Sequence, residues 1–328
     1  MSEIATPVFL GGHRKSGTSM FLRLFDGHPQ LLVYPQDINV LYAYFPVFVE
    51  GEYGVEERRK RLSRVIFEEL VETLDRNDVT DRIDVAEFRD RFFAKLDDNR
   101  LDKMRHILDT LLEAFRETIR SPATGPAVIK ETSIEIYGSE LFTWYPNSKF
   151  THLLRDPRDV YAALRAGTKG YYSQFGDNEK TLLSSFLHRG LLGMKLAALN
   201  RERFGPERYA ICRFEDVVSD PEQELTRICT FIGVDFDERL LVPTVLGAPT
   251  RGNSHDKIDL YEISNRNVGR WRERITPEEA MVIEFHFGDL MESFGYKREF
   301  ATHDTMDAAA NFYKFSNYKY FFFDRFAE

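Results

Sequence analysis

Residues 8–29 read VFLGGHRKSGTSMFLRLFDGHP. Val8 to Leu10 is a short apolar run of strand type, and a loop of Gly, Arg, Lys, Ser and Thr follows it. Apolar residues then recur at helical spacing through Met20, Leu22, Leu24 and Phe25. Strand, small-residue loop and helix in that order aim backbone N–H groups and the positive end of a helix dipole at an anion. The stretch therefore predicts a cradle for a phosphate-like group.

Further strand signals lie at 126–130 (PAVIK), 149–154 (KFTHLL) and 208–213 (YAICRF), separated by helix-length patterns. Strands spaced that way pair in parallel through crossover helices, so the fold expected is α/β, with a central, mostly parallel sheet flanked by helices. Three helix starts are marked: Asp156-Pro157, Asp220-Pro221-Glu222-Gln223 and Thr276-Pro277-Glu278-Glu279 each place an N-cap before Pro at the first helical position. Residues 50–122 are rich in Glu, Arg, Lys and Leu. Leu62, Val65, Ile66 and Leu70, then Leu108, Leu111, Leu112 and Phe115, predict amphipathic helices inserted as a cap over the acceptor side, their charge mostly solvated surface. One domain over 1–328 is expected, ending in an aromatic-rich element at 304–328. NFYKFSNYKYFFFDRF (311–326) carries nine aromatics in sixteen residues and reads as an element docked on the core or on a second subunit, which would make a homo-oligomer. Its interleaved Tyr, Phe and Lys leave membrane-surface contact open as a second reading, although its apolar face is not cleanly segregated.

The net charge of −9 gives no overall basic field, so nucleic acid is not an expected partner. Only Cys212 and Cys229 occur, too few for a disulfide framework. No run approaches the ~18 apolar residues of a membrane span, and the N-terminus MSEIATP lacks a basic then apolar leader. A cytoplasmic protein is expected.

The pattern GxxxxGK[ST] of nucleoside-triphosphate loops can be laid on Gly12-His13-Arg14-Lys15-Ser16-Gly17-Thr18-Ser19. Thr18 stands where that pattern has Lys, and a basic pair appears earlier at Arg14-Lys15. With SGTS after the displaced cation and D-G-H-P beyond, the loop resembles the 5′-phosphosulfate loop of sulfotransferases that use 3′-phosphoadenosine 5′-phosphosulfate (PAPS). THLLRDPRDVYAALRAG (151–167) resembles that family's 3′-phosphate segment. RFEDVVSDPEQEL (213–225) and VGRWRERITPEE (268–279) resemble its R-Y-E-D-L…D-P-E and G-x-W-(R/K) segments, in family order.

The resemblance implies sulfuryl transfer from PAPS to a hydroxyl, with a glycan as the expected acceptor and a small phenol or lipid-linked product as the runner-up. It implies Lys15 at the bridging oxygen with Arg14 beside it, and Ser16, Gly17, Thr18 and Ser19 around the 5′-phosphate. Arg155 falls to the 3′-phosphate, Arg266 and Arg270 to the nucleotide, and Phe214 to a place near the adenine. The family often has Ser eight residues after the Arg; here that position is Ala163. A transferring sulfuryl group carries less charge than a γ-phosphoryl, so no divalent metal is expected. For the general base, counting past Lys15 reaches Asp37, with Glu131 in Lys130-Glu131-Thr132 as the alternative. The aromatics Tyr34, Tyr42, Tyr44, Phe45 and Trp144 either line an acceptor site or pack, and His28 reads as part of a helix C-terminal turn. Two other readings stay open: a P-loop kinase, disfavoured by Thr18 and by no apolar strand ending in Asp, and a catalytically silent nucleotide-binding relative.

Overall fold

β1 (Pro7–Gly11) leads through the loop into α1 (Thr18–Phe25), then β2 (Leu32–Asp37) and the short α2 (Val40–Ala43). The structure is a computed structural model that describes residues 6–45, 51–167, 179–250 and 262–314. α3 (Val55–Ser63) passes through a π-helical turn (Arg64–Glu68) into α4 (Glu69–Asn77), followed by α5 (Val85–Lys95) and α6 (Met104–Thr118). Next come β3 (Ala127–Lys130), a 3-10 turn (Ile134–Tyr137), α7 (Gly138–Trp144) and β4 (Lys149–Leu154). α8 (Pro157–Ala166) and α9 (Glu179–Phe204) precede β5 (Tyr209–Arg213), α10 (Phe214–Ser219) and α11 (Pro221–Ile232). A two-stranded hairpin, β6 (Thr244–Val245) and β7 (Ala248–Pro249), comes before α12 (Trp271–Arg274), α13 (Pro277–Ser293) and α14 (Thr302–Tyr313).

The chain divides into two compact units. The first comprises Met1–Leu154 with Ala197–Ser264, the second Arg155–Leu196 with Asn265–Glu328. The first unit holds a five-stranded sheet in the order β2-β3-β1-β4-β5, every pair parallel. Side chains alternate across it, as a pleated strand requires. Phe9, Leu32, Tyr34, Ile129, Phe150 and Tyr209 enter one core with α3 to α6, including Leu62, Ile66, Leu70, Phe88, Phe92, Leu108, Leu111 and Phe115. Val8, Leu10, Val33, Val128, Leu153, Ala210 and Cys212 enter the other, with Phe21, Leu24 and Phe25 of α1 and Leu225, Ile228 and Cys229 of α11. The helices of 55–118 thus form a full layer on one sheet face, and both cysteines are free and buried in the opposite core.

The sequence places no strand at 32–37, and Pro35 is the reason. Proline cannot donate to a ladder and is confined to edge strands or irregular positions. β2 is the edge strand, and its register against β3 shifts between Val33 and Asp37, where Pro35 falls. It is also a strand that ends in Asp, which the sequence reading did not find.

The second unit is helical where described. Phe186 of α9 stacks on Phe287 of α13 with centroids 5.3 Å apart, and Tyr161 of α8 packs on Phe186. Thr276 and Glu279 close a capping box at the start of α13, and Glu279 also accepts from Tyr161 Oη at 2.9 Å and Arg165 Nη1 at 2.5 Å. Tyr313, in the first residues of the aromatic C-terminal stretch, is buried and bonded to His286 at 2.8 Å. Residues 315–328 of that stretch lie outside the described residues. No described helix is long and apolar enough to cross a membrane.

Candidate active site

In open α/β sheets ligands settle outside the carboxyl ends of the strands, where successive crossovers leave in opposite directions. Here β1 is that strand: the chain leaves it toward β2 and β3 on one side, while β4 and β5 lie on the other. The loop at its end is shaped by contacts. A Cβ on Gly12 (φ 140°) would stand 2.4 Å from the Leu153 carbonyl oxygen, and one on Gly17 (φ 99°) 2.5 Å from the Phe214 ring. Both positions therefore require glycine. Phe214 is itself buried beneath the loop, so the residue assigned to the adenine packs against Gly17.

Between the two glycines, Ser16 donates from its amide (3.0 Å) and its hydroxyl (2.6 Å) to the His13 carbonyl, closing a tight turn. Lys15 sits at the tip with φ 69°, a left-handed conformation that a lysine adopts at a cost. Helix α1 then starts at Thr18 with no side chain capping its first turn. Uncapped N–H groups at a helix start behind a turn of this kind are an anion site.

Below the loop, Lys130 ends β3 almost wholly buried (2% exposed). Its ammonium reaches Asp37 Oδ2 at 2.6 Å and Ser19 Oγ at 3.2 Å. Asp37 Oδ1 accepts from Thr132 N at 3.0 Å and Thr132 Oγ1 at 3.2 Å. Ser19 occupies the [ST] position of the GxxxxGK[ST] frame, and Asp37 ends β2, which pairs with β3 and not with β1. In Walker-type sites the [ST] hydroxyl and a strand-end Asp hold Mg²⁺. In this chain a fixed ammonium stands there.

Glu131, next to Lys130, is buried, and among the described residues its Oε2 has no hydrogen-bond partner. Burial, and then the Asp37 carboxylate, push its carboxyl well above the usual range. Glu135, on the 3-10 turn that follows, lies under Gly12. Ser133 N donates to the Gly12 carbonyl at 2.9 Å, and Gly12 N donates to Glu135 Oε2 at 3.2 Å. Burial raises the Glu135 carboxyl to about 7. The sequence did not single out Glu135: an acid just after a strand looks like any helix-start acid.

The aromatic set separates. Tyr34 and Tyr44 are fully buried in the core, while Tyr42 is 37% exposed and donates its hydroxyl to the Ser133 carbonyl. Tyr42, Tyr137, Phe45 and Trp144 form a chain of edge-on ring contacts, with centroids 5.5–5.7 Å apart. His28 is held by backbone on both ring nitrogens, Asp235 O at 2.9 Å and Gln30 N at 3.2 Å, and is structural.

In the second unit the R-D-P-R-D segment organises its own surroundings. Asp156 caps α8 through Arg158 N (2.9 Å) and grips the Arg158 guanidinium with both carboxylate oxygens. Arg158, 3% exposed, also reaches Glu284 at 2.5 Å and lies 4.4 Å over the Trp271 ring. Asp159 accepts from Gly269 N at 2.7 Å and Trp271 N at 2.9 Å, which fastens the G-x-W backbone. Burial raises its carboxyl, and the Arg155 charge opposes that shift. Arg155 follows β4 directly and donates to the Asn267 carbonyl at 2.6 Å, while Arg270 reaches Asn267 Oδ1 at 3.3 Å. Arg155 and Arg270 thus converge on one residue, whereas Arg266 is exposed. Ala163 on α8 has no hydroxyl to offer.

The chain matches the model of the "Sulfotransferase family" over residues 7–238. The omega-hydroxy-beta-dihydromenaquinone-9 sulfotransferase Stf3 of Mycobacterium bovis is 27% identical over 162 residues, and the same match is found in Mycobacterium tuberculosis. The matched stretch is 47% of this chain and 37% of that protein, so the chain spans little more than a third of these relatives. Among solved structures, the sulfotransferase domain from the curacin biosynthetic pathway superposes with a TM-score of 0.62 at 17% identity, covering 91% of this chain and 100% of that one. The sulfotransferase domain from the Synechococcus PCC 7002 olefin synthase gives 0.57 at 21%, covering 90% and 97%. At these identities the two superpositions speak to the fold.

Proposed function

The chain belongs to the sulfotransferase family, and we propose that it transfers the sulfuryl group of PAPS to a hydroxyl acceptor. The observation that carries this reading is the uncapped start of α1 behind a lysine held left-handed at the loop tip. The acceptor oxygen attacks sulfur, and the bond from sulfur to the 5′-phosphate oxygen breaks in line. The products are a sulfate ester and adenosine 3′,5′-bisphosphate. Lys15 is assigned to the departing phosphate oxygen, with Arg14 beside it and the amides of Ser16 to Ser19 on the 5′-phosphate. Arg155 is assigned to the 3′-phosphate, where a guanidinium binds bidentately, and Arg266 and Arg270 support the nucleotide.

Asp37 is assigned to take the acceptor proton. Glu131 fits that role less well, since burial and the neighbouring Asp37 charge both work against its ionised form. The Asp37–Lys130–Ser19 arrangement also supports this reading over a kinase, because the ammonium fills the place a Walker-type site gives to its metal.

For the acceptor we propose a carbohydrate hydroxyl. The partly exposed rings of Tyr42, Phe45, Tyr137 and Trp144, joined to the Asp37 neighbourhood through Ser133, suit the CH face of a sugar ring. A hydroxylated menaquinone, such as the mycobacterial relatives' name records, is the second reading.

Thermal shift with adenosine 3′,5′-bisphosphate, against AMP and against ATP with Mg²⁺, tests the nucleotide, because a ligand of the native state raises the melting temperature by mass action. Selective stabilisation by the bisphosphate is expected, and preference for Mg-ATP overturns the reading. Mass spectrometry after reaction of ³⁴S-labelled PAPS with sugar and quinol acceptors then decides the acceptor class.

A further inference from the structure

We infer that Glu135 is a positioning residue for the loop after β1, one that takes up a proton as the loop receives its anion. The inference rests on the sulfotransferase reading and adds a residue that the motifs of the family resemblance do not contain.

The geometry is a clamp. The segment after β3 engages both backbone polar groups of Gly12: Ser133 N donates to its carbonyl at 2.9 Å, and its own N–H donates to Glu135 Oε2 at 3.2 Å. Gly12 begins the loop at φ 140°, a conformation that the Leu153 carbonyl leaves open only to glycine. Fixing Gly12 therefore fixes where the loop leaves the sheet. The Glu135 carboxyl is 1% exposed, and among the described residues its other oxygen has no hydrogen-bond partner. Among the described residues no ion pair reaches it.

A carboxylate in that place opposes the ligand. The loop presents N–H groups to a polyanion, and a buried negative charge hydrogen-bonded to Gly12 N at the start of that loop repels it with little screening. A neutral carboxylic acid keeps its carbonyl oxygen as acceptor for Gly12 N and removes the repulsion. Burial already raises this carboxyl to about 7, with its own N–H and that of Gly12 pulling the other way, so both forms are present near neutral pH. Around it, titratable side chains include His13, Arg14 and Lys15 on the loop, Lys130 at the end of β3, Glu131 and Tyr137 on its own segment, His152 on β4 and Tyr209 on β5, while Asn200 of α9 donates to the Glu135 carbonyl at 2.9 Å. His152 bonds the Tyr209 hydroxyl at 2.7 Å and is held neutral by burial, at about 3, and the Tyr209 hydroxyl is raised far above its ordinary value. Neither changes charge in the range where Glu135 does. An arriving anion raises Glu135 further, so binding takes up a proton and tightens as pH falls through neutrality.

The test is isothermal titration with adenosine 3′,5′-bisphosphate, in pairs of buffers of different ionisation heat, on the wild type and Glu135→Gln. Gln retains the acceptor for Gly12 N but cannot ionise. The wild type is expected to take up more protons than the variant, and the ratio of wild-type to variant Kd to rise about tenfold between about pH 6 and about pH 8.5. The ligand's own phosphate titration is common to both proteins and cancels in that ratio. Parallel pH profiles with equal proton uptake overturn the inference alone. If Glu135→Gln does not fold, the wild type decides at about pH 8, where the ligand's phosphates are already fully ionised: proton uptake on binding supports the inference, and none overturns it. A wild type that binds no bisphosphate at any pH overturns the functional reading and this inference with it.

Discussion

The Lys130 ammonium lies 2.6 Å from Asp37 Oδ2 and 3.2 Å from Ser19 Oγ, so one buried cation joins the end of β2 to the first turn of α1. Lys130 is 2% exposed and the Asp37 side chain 30%. The pair is thus dry on one side and wet on the other. Its cation cannot leave, and its carboxylate still meets what enters the site.

Replacing Lys130 with Met fills the same space without charge. Asp37 keeps the two Thr132 hydrogen bonds and some water, so the cost in stability is about 1–3 kcal/mol, below that of breaking a fully buried pair. Turnover should fall by roughly 10²-fold, as for other fixed electrostatic groups at a transfer site. Chemical denaturation and PAPS turnover of Lys130→Met check both. Unchanged turnover would confine Lys130 to a structural role.

Asp37→Asn keeps the Thr132 contacts through its carbonyl oxygen and removes basicity. Sulfuryl transfer to a hydroxyl should drop about 10²–10⁴-fold, while adenosine 3′,5′-bisphosphate binds nearly as before. Glu131→Gln should be mild in turnover, because burial and the Asp37 charge already disfavour the carboxylate that a base must present. The opposite pattern, an active Asp37→Asn and a dead Glu131→Gln, moves the base to Glu131.

Lys15→Ala separates chemistry from binding. A cation on the departing oxygen acts mainly in the transition state, so turnover should fall roughly 10²-fold or more with little change in bisphosphate Kd. Arg155→Ala should do the reverse. It should cost about 2–4 kcal/mol of bisphosphate affinity, as when one partner of a close charge pair is removed, and leave AMP affinity nearly unchanged. Equal losses for both nucleotides would mean that Arg155 serves the Asn267 segment instead.

Much of this arrangement is local, and local features are legible in sequence. The strand–loop–helix at 8–25 appears as β1, loop and α1, and three further strands fall within a residue of their apolar runs. The caps at Asp156, Asp220 and Thr276 all form, since each depends on residues two or three positions away. β2 was hidden by Pro35, tolerable only because the strand is at the sheet edge. The roles of Glu135 and Asp159 were hidden for another reason. Their partners Gly12 and Gly269 lie 123 and 110 residues away, and no periodicity carries a contact of that range.

The last prediction uses the same Glu135 carboxyl without any ligand. In the unfolded chain it titrates near 4.5, and in the native protein at about 7. A group whose native value is raised contributes stability that is complete below the unfolded value and is lost as pH rises through the native one. The difference of about 2.5 in pKa corresponds to about 3 kcal/mol at most, lost between about pH 4.5 and about pH 7.5. Glu135→Gln does not titrate, and Glu131 is present in both proteins. Urea unfolding across that range should therefore show the variant gaining on the wild type as pH rises, levelling off above about pH 7.5. A stability difference that stays constant with pH would mean that Glu135 is ionised throughout, and the clamp on Gly12 would then carry a permanent negative charge.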